Sequence, residues 1–295
     1  VRCVSLFLVA AIFLHSIVAE ARPLVAVIDS GVGATAELRP HLVGEIDAAA
    51  RPARPALRPR FDHGTKVATV LSRAARGRAD ILSIRVDDPA GCAFGRNPPC
   101  QRDPAVIAWA IHAAVAHRAD VINISMALMD APAISDAVAF AAWSGTLVVI
   151  ASGNDGRRVP GNLSHARAGY PNAVLVGALE RDGTVWARSN RPAGSSTPGY
   201  NFAWRWGAGV PSAAADGTPV VASGTSIAAP VEAGFRVRRR AAAGPAVFLV
   251  PVRRKLADRP VMLAGTAYPD PRSRACASPV RPSVRAHCLG STLLA

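Results

Sequence analysis

Apolar residues in this chain come in short blocks, and the blocks alternate between two patterns. LVAVID (24–29), ADILSIRV (79–86), DVINISM (120–126), TLVVIASG (146–153) and NAVLVGAL (172–179) are nearly continuous apolar runs rich in Val, Ile and Leu. Such runs predict strands buried on both faces. Between them the apolar spacing turns helical. TKVATVLSRAARG (65–77) ends at Gly, DPAVIAWAIHAAVAHRA (103–119) opens with Asp and places Pro just inside, and APAISDAVAFAAWSG (131–145) follows the same period. These are ordinary helix start and stop signals. In RPARPALRPR (51–60) proline recurs every few residues, which excludes regular structure and predicts a surface loop. Strands alternating with helices predict an α/β fold, in which a mostly parallel central sheet is covered on both faces to give three layers. Functional groups in such sheets gather at the carboxyl ends of strands. Asp29 and the run Ser152-Gly153-Asn154 stand at two such ends.

Composition sharpens this picture only in places. A chain of 295 residues that is 50% hydrophobic has ample material for one large domain or two small ones. With aromatics at 5%, aliphatic side chains and alanine must fill the core. The formal charge of +14 comes almost wholly from arginine and reads as a solvated basic surface. No nucleic-acid-binding motif accompanies it, so nucleic acid is not an expected partner. Binding to polyanions or a membrane surface through RPARPALRPR and RVRRR is a further reading, and it could coexist with enzyme activity.

At the N-terminus one arginine precedes an apolar run that closes at Ala19-Glu20-Ala21. This is the layout of a signal peptide over 1–21, and it predicts export to the periplasm or beyond the cell. An uncleaved anchor is the alternative. Export would permit disulfides among the cysteines left after cleavage. Cys92 and Cys100 flank a Gly/Pro-rich excursion, and Cys276 and Cys288 lie in the tail, but spacing alone does not select among the three possible pairings. No domain boundary appears within 22–240. Beyond it, at 241–295, arginine and proline rise and periodicity fades.

The chemistry begins with SGTSIAAP, Ser223 to Pro230. Ser226 by itself is an ordinary helix-start residue. A serine hydroxyl becomes a nucleophile only with a base to take its proton and a group to orient that base. His63 in FDHGTKVA and Asp29 in VIDSGVG offer those two roles, although singly each reads as a structural residue. Their order along the chain is Asp, His, Ser. The blocks VAVIDSGVG, DHGTKVATVL and SGTSIAAP closely resemble the three signature blocks of the subtilisin-like serine proteases, the subtilase family. AIHAAVAHRADVINISM, VVIASGND and YPNAVLVGALERDGTVWARSN extend the resemblance across roughly residues 23 to 235. Sedolisins share an SGTS block but replace the histidine with an acid, so His63 disfavours them.

The resemblance implies a subtilisin-like three-layer fold and a serine endopeptidase acting on polypeptides through an acyl-enzyme. In it Asp29 orients His63, His63 serves Ser226 as base and then acid, and Asn154 donates to the oxyanion. An extended substrate would pair with the edge at Ser125, Met126 and Ala127. Ala151, Ser152 and Gly153 would wall the pocket for the residue before the cleaved bond. The triad needs no cofactor. Calcium often stabilises the family, but no acidic cluster here demands it. A monomer is expected.

Several departures bear on activity. No pro-segment fits between residue 21 and Pro23, which implies unaided folding or a separate folding or activation partner. Ala127 stands where the family has glycine. Val231 and Glu232 follow Pro230, where the family has a histidine and an apolar residue. Pro230 is expected to be tolerated because the earliest helical N–H groups lack partners. Arg236, Arg238, Arg239 and Arg240 cannot all be buried, so this helix is expected either to end early or to reach solvent. These departures leave a catalytically impaired, peptide-binding homologue as the alternative reading.

Overall fold

The structure is a computed structural model that describes residues 22–93, 99–193 and 199–242. The predicted signal peptide, Cys276, Cys288 and the tail from 243 lie outside the described residues. In chain order the elements are β1 (Leu24–Asp29), β2 (Leu42–Asp47), α1 (His63–Ala75), β3 (Asp80–Arg85), α2 (Pro104–Ala116), β4 (Val121–Ile124), α3 (Pro132–Trp143), β5 (Leu147–Ala151), α4 (Leu163–Ala168), β6 (Ala173–Leu179), β7 (Asn201–Trp206), β8 (Val210–Ala213), β9 (Pro219–Ala222) and α5 (Thr225–Ala242).

Seven strands form one sheet in the order β2-β3-β1-β4-β5-β6-β7, and every pairing in it is parallel. Alternation along each strand sends side chains to two separate cores. Ala26, Ile28, Ile122, Ile124 and Ile150 pack with α2 and α3. Val25, Val27, Val121, Val149 and Val174 pack with α1 and α5. Two apolar faces with a helix layer on each explain why the strand sequences read as unbroken apolar runs. β1 sits between β3 and β4, and the helices that precede and follow β3 lie on opposite faces. The chain therefore switches sides at the β1/β4 boundary, where such sheets open a crevice at their carboxyl ends. Among the described residues no helix is long and apolar enough to cross a membrane.

The proline-rich loop is irregular, as its sequence predicts, yet it is firmly held. Asp47 at the end of β2 accepts from the backbone N–H groups of Ala49, Ala50 and Arg54 and from the Arg54 guanidinium at 2.7 Å. A disulfide joins Cys92 to Cys100 and closes the Gly/Pro-rich excursion between them.

The arginine-rich helix resolves in favour of solvent. α5 does not end early but continues to Ala242. Ala228, Ala229, Ala233 and Val237 face the core, while Arg236 and Arg239 are exposed. Glu232 is fully buried, a costly place for a carboxylate. It is compensated from two sides: Arg236, one turn further on, donates to it at 2.6 Å, and Arg205 of β7 forms an ion pair with its other oxygen. The Arg205 guanidinium also lies over the ring of Phe235, 4.7 Å from its centroid.

Pro230 calls for a correction. It is the sixth residue of α5, past the positions whose N–H groups lack partners anyway. A residue there would normally donate to the Ser226 carbonyl. Proline cannot, and the carbonyl instead accepts from Ser125 Oγ at 2.8 Å.

Candidate active site

Three chain segments meet at the carboxyl end of the sheet. Asp29 is the last residue of β1 and is wholly buried. His63 is the first residue of α1. Gly64 N–H donates to Ser30 Oγ at 3.1 Å, which holds the helix start against the end of β1. Glycine is required at 64 because a Cβ would collide with the Gly31 carbonyl. His63 Nδ1 lies 2.8 and 3.0 Å from the two oxygens of Asp29. A carboxylate only accepts, so Nδ1 carries the proton and Nε2 keeps its lone pair. Burial disfavours the charged imidazole, but the charge of Asp29 and its hydrogen bond outweigh both burial and the repulsion of Lys66. The His63 pKa is raised.

Ser226 is the second residue of α5. Its carbonyl hangs on Ser125, just past β4, and Asn123 Nδ2 steadies Ser125 Oγ at 2.9 Å. Because Ile28 pairs with Ile124, Asp29 and Ser125 are neighbours across two strands. The aspartate, the imidazole and the serine are thereby tied to one corner of the sheet. No hydrogen bond joins His63 to Ser226 among the described residues.

Asn154 follows β5 and is held by Thr225. Its Oδ1 accepts from both the N–H and the hydroxyl of Thr225 at 2.8 Å, which fixes which end of the amide is nitrogen. Nδ2 is left free, and so is the backbone N–H of Ser226, since the first α5 bonds run from Ile227 and Ala228 to Gly224. A Cβ at Gly224 would sit 3.0 Å from Ser226 Oγ and 3.2 Å from Asn154 Nδ2. The glycine keeps that space open between a hydroxyl and two unpaired donors, near the positive end of a helix.

The two segments expected to wall the substrate, Ser125–Ala127 and Ala151–Gly153, follow neighbouring strands and lie side by side. The sequence reading missed the residue that joins them. Asn162, in a left-handed conformation (φ 59°), donates from Nδ2 to the carbonyls of Met126 and Ala151 at 3.0 and 2.9 Å. Its Oδ1 accepts from Leu128 N–H at 2.9 Å. Ala127, between these two tied residues, has an N–H and a carbonyl of its own. Among the described residues neither group is paired.

Asn190 was also missed. Almost fully buried, it accepts from Asp155 N–H and Arg157 N–H, donates from Nδ2 to the Ser152 carbonyl and from its backbone N–H to the Gly153 carbonyl. One side chain thus rivets the loop that carries Asn154.

Comparison with known proteins gives the family. The model of the subtilase family of peptidases matches residues 21–243. The chain belongs to the subtilase family. It is accordingly a serine-type endopeptidase. Solved structures agree on the fold of this subtilase: "S41 Psychrophilic Protease" has a TM-score of 0.62 and 27% identity, with 77% of this chain and 79% of that chain covered. "Sphericase" gives 0.61 and 25% over the same shares. A cold adapted subtilisin-like serine proteinase gives 0.58 and 22%, covering 74% of this chain and 75% of that chain. No match was found among curated protein sequences.

Proposed function

We propose that this subtilase cleaves peptide bonds through Asp29, His63 and Ser226, with Asn154 Nδ2 and the Ser226 N–H as oxyanion donors. The observation that carries the proposal is the pair of free donors flanking the space beside Ser226 Oγ, kept open by Gly224. Ser226 Oγ attacks the carbonyl carbon as its proton passes to His63 Nε2, and the oxygen gains negative charge between the two donors. His63 then protonates the leaving nitrogen as the C–N bond breaks. Water, deprotonated by His63, attacks the acyl-enzyme and Ser226 regains its proton. Asp29 keeps the imidazole in the tautomer this sequence needs. The chemistry uses no cofactor.

The unpaired Ala127 N–H and carbonyl suit an extended substrate adding as a strand, with its side chain before the cleaved bond between 125–127 and 151–153. The N-terminal signal-like segment supports action outside the cytoplasm. A peptide-binding protein with impaired chemistry is the second reading, favoured by the missing His63–Ser226 hydrogen bond, although such bonds often tighten only with substrate.

A fluorophosphonate probe tests the proposal on the purified protein. Labelling is expected in the wild type and lost in Ser226→Ala and His63→Ala variants that still fold. A folded wild type that takes no label would favour the second reading.

A further inference from the structure

Beside the oxyanion-type asparagine, two loops run together and carry arginines. Residues 153–158 and 186–192 hold Arg157, Arg158, Arg188 and Arg191 against one acid, Asp155. The loops are joined backbone to backbone, with Gly156 N–H to the Arg188 carbonyl at 2.8 Å and Arg191 N–H to the Arg157 carbonyl at 2.9 Å. Buried Asn190 rivets them a third time. The arginines therefore stand on a braced ribbon rather than on a loose loop. All four are exposed, and among the described residues none forms an ion pair or a guanidinium hydrogen bond. Arg188 is steadied only by the ring of Trp186, 5.7 Å below it.

Between the loops lies an open groove of about 670 Å³ lined by Gly156, Arg158, Arg191 and Pro192. Gly156 is two residues from Asn154, and the same loop begins as the wall at 151–153. A substrate whose reacting carbonyl faces Asn154 would carry its neighbouring side chains past this groove. Arg54, Arg73, Arg85, Arg205 and Arg236 each meet a carboxylate, whereas the groove arginines, like Arg58, Arg76 and Arg118 elsewhere on the surface, meet none. Unspent guanidiniums bind carboxylates in a forked geometry that an amide does not reproduce.

We infer that this groove is a subsite for an acidic side chain of the substrate, so that the enzyme prefers polypeptides with Glu or Asp close to the cleaved bond. The inference rests on the peptidase reading above and adds the substrate class. Exposed charge pairs are individually weak, and two acting together in a groove support a preference of about fivefold to tenfold, diminishing with salt.

The test uses the full chain and peptides that differ only by Glu or Gln at each position on either side of the cleaved bond. The Glu/Gln ratio of kcat/KM is read for the wild type, for Arg158→Glu/Arg191→Glu and for Arg39→Glu/Arg78→Glu, which changes net charge equally but far from the groove. A ratio of at least about five at one position is expected. It should fall to one or below in the groove variant, persist in the distant variant and shrink in 0.5 M salt. A ratio near one at every position, or one that survives the groove substitutions, overturns the subsite. The same peptides are also bound to Ser226→Ala protein by fluorescence anisotropy, which reads the groove without chemistry. Glu selectivity in binding without cleavage by the wild type would overturn the peptidase reading and leave the subsite standing. Equal binding of Glu and Gln peptides, with cleavage intact, would do the reverse.

Discussion

At the scale of single residues, His63 in its proposed role would couple activity and stability to pH in opposite directions. Its pKa is raised in the folded protein, because Asp29 outweighs burial. As a general base it must be neutral, so kcat/KM is expected to fall about tenfold per pH unit below that raised pKa. The midpoint should lie above the ordinary histidine value, and Asp29→Asn should move it down. The stabilisation from the His63–Asp29 pair is fully present below the pKa of an unfolded histidine and fades as pH climbs through the folded value. Urea midpoints taken across the same range should therefore decline as activity rises. Asn162 gives a second residue-scale outcome. Asn162→Asp keeps an acceptor for Leu128 N–H but loses both donors to Met126 and Ala151. Two lost hydrogen bonds at about 1 kcal/mol each set an upper limit of about thirtyfold on the expected fall in kcat/KM, carried mainly by KM. The triad-type residues and Asn154 were legible because each sits in a local block of sequence with its own signature. Asn162 and Asn190 were not. Their partners lie 11 to 38 residues away and are backbone atoms, which any sequence supplies.

At the scale of elements, the buried strands and the helices α1, α2 and α3 were readable within a few residues, since each has one dominant period. β2, β7, β8, β9 and the short α4 were not. β2 mixes Gly44 and Glu45 into an edge strand, and β7 has no fully buried residue, so neither shows a clean run. α5 was the hardest element to judge, because its arginines were visible but their partner was not. Arg205 lies on another strand, and only the fold brings it to Glu232. Arg205→Ala leaves a buried carboxylate with one half-exposed partner, and a loss of about 3 kcal/mol is expected from chemical denaturation. Arg205→Met combined with Glu232→Leu should recover most of it, since a well-packed apolar pair avoids the desolvation of both charges.

At the scale of the whole molecule, acid stability is expected to depend on Asp47. Burial raises its pKa, but the hydrogen bonds and charge of Arg54 prevail and lower it to about 2. The stabilisation is complete above the ordinary aspartate range and lost as pH falls toward 2. It amounts to about 2 kcal/mol. Asp47→Asn should therefore flatten the acid limb of the stability curve, measured by thermal melts between pH 5 and pH 2. The arrangement of the sheet also has a consequence for a chain that is still being synthesised. β1 and α1, which carry Asp29 and His63, are made first, but Ser125 has its partner 101 residues further on and Asn154 has its own 71 residues further on. Until α5 has emerged and docked, the nascent polypeptide holds only the proposed base and its orienting acid, with nothing for them to activate. On the proposed mechanism, the fold would keep an unfinished protease silent toward its own maker and its own exposed segments, and grant cutting power only to a body already assembled.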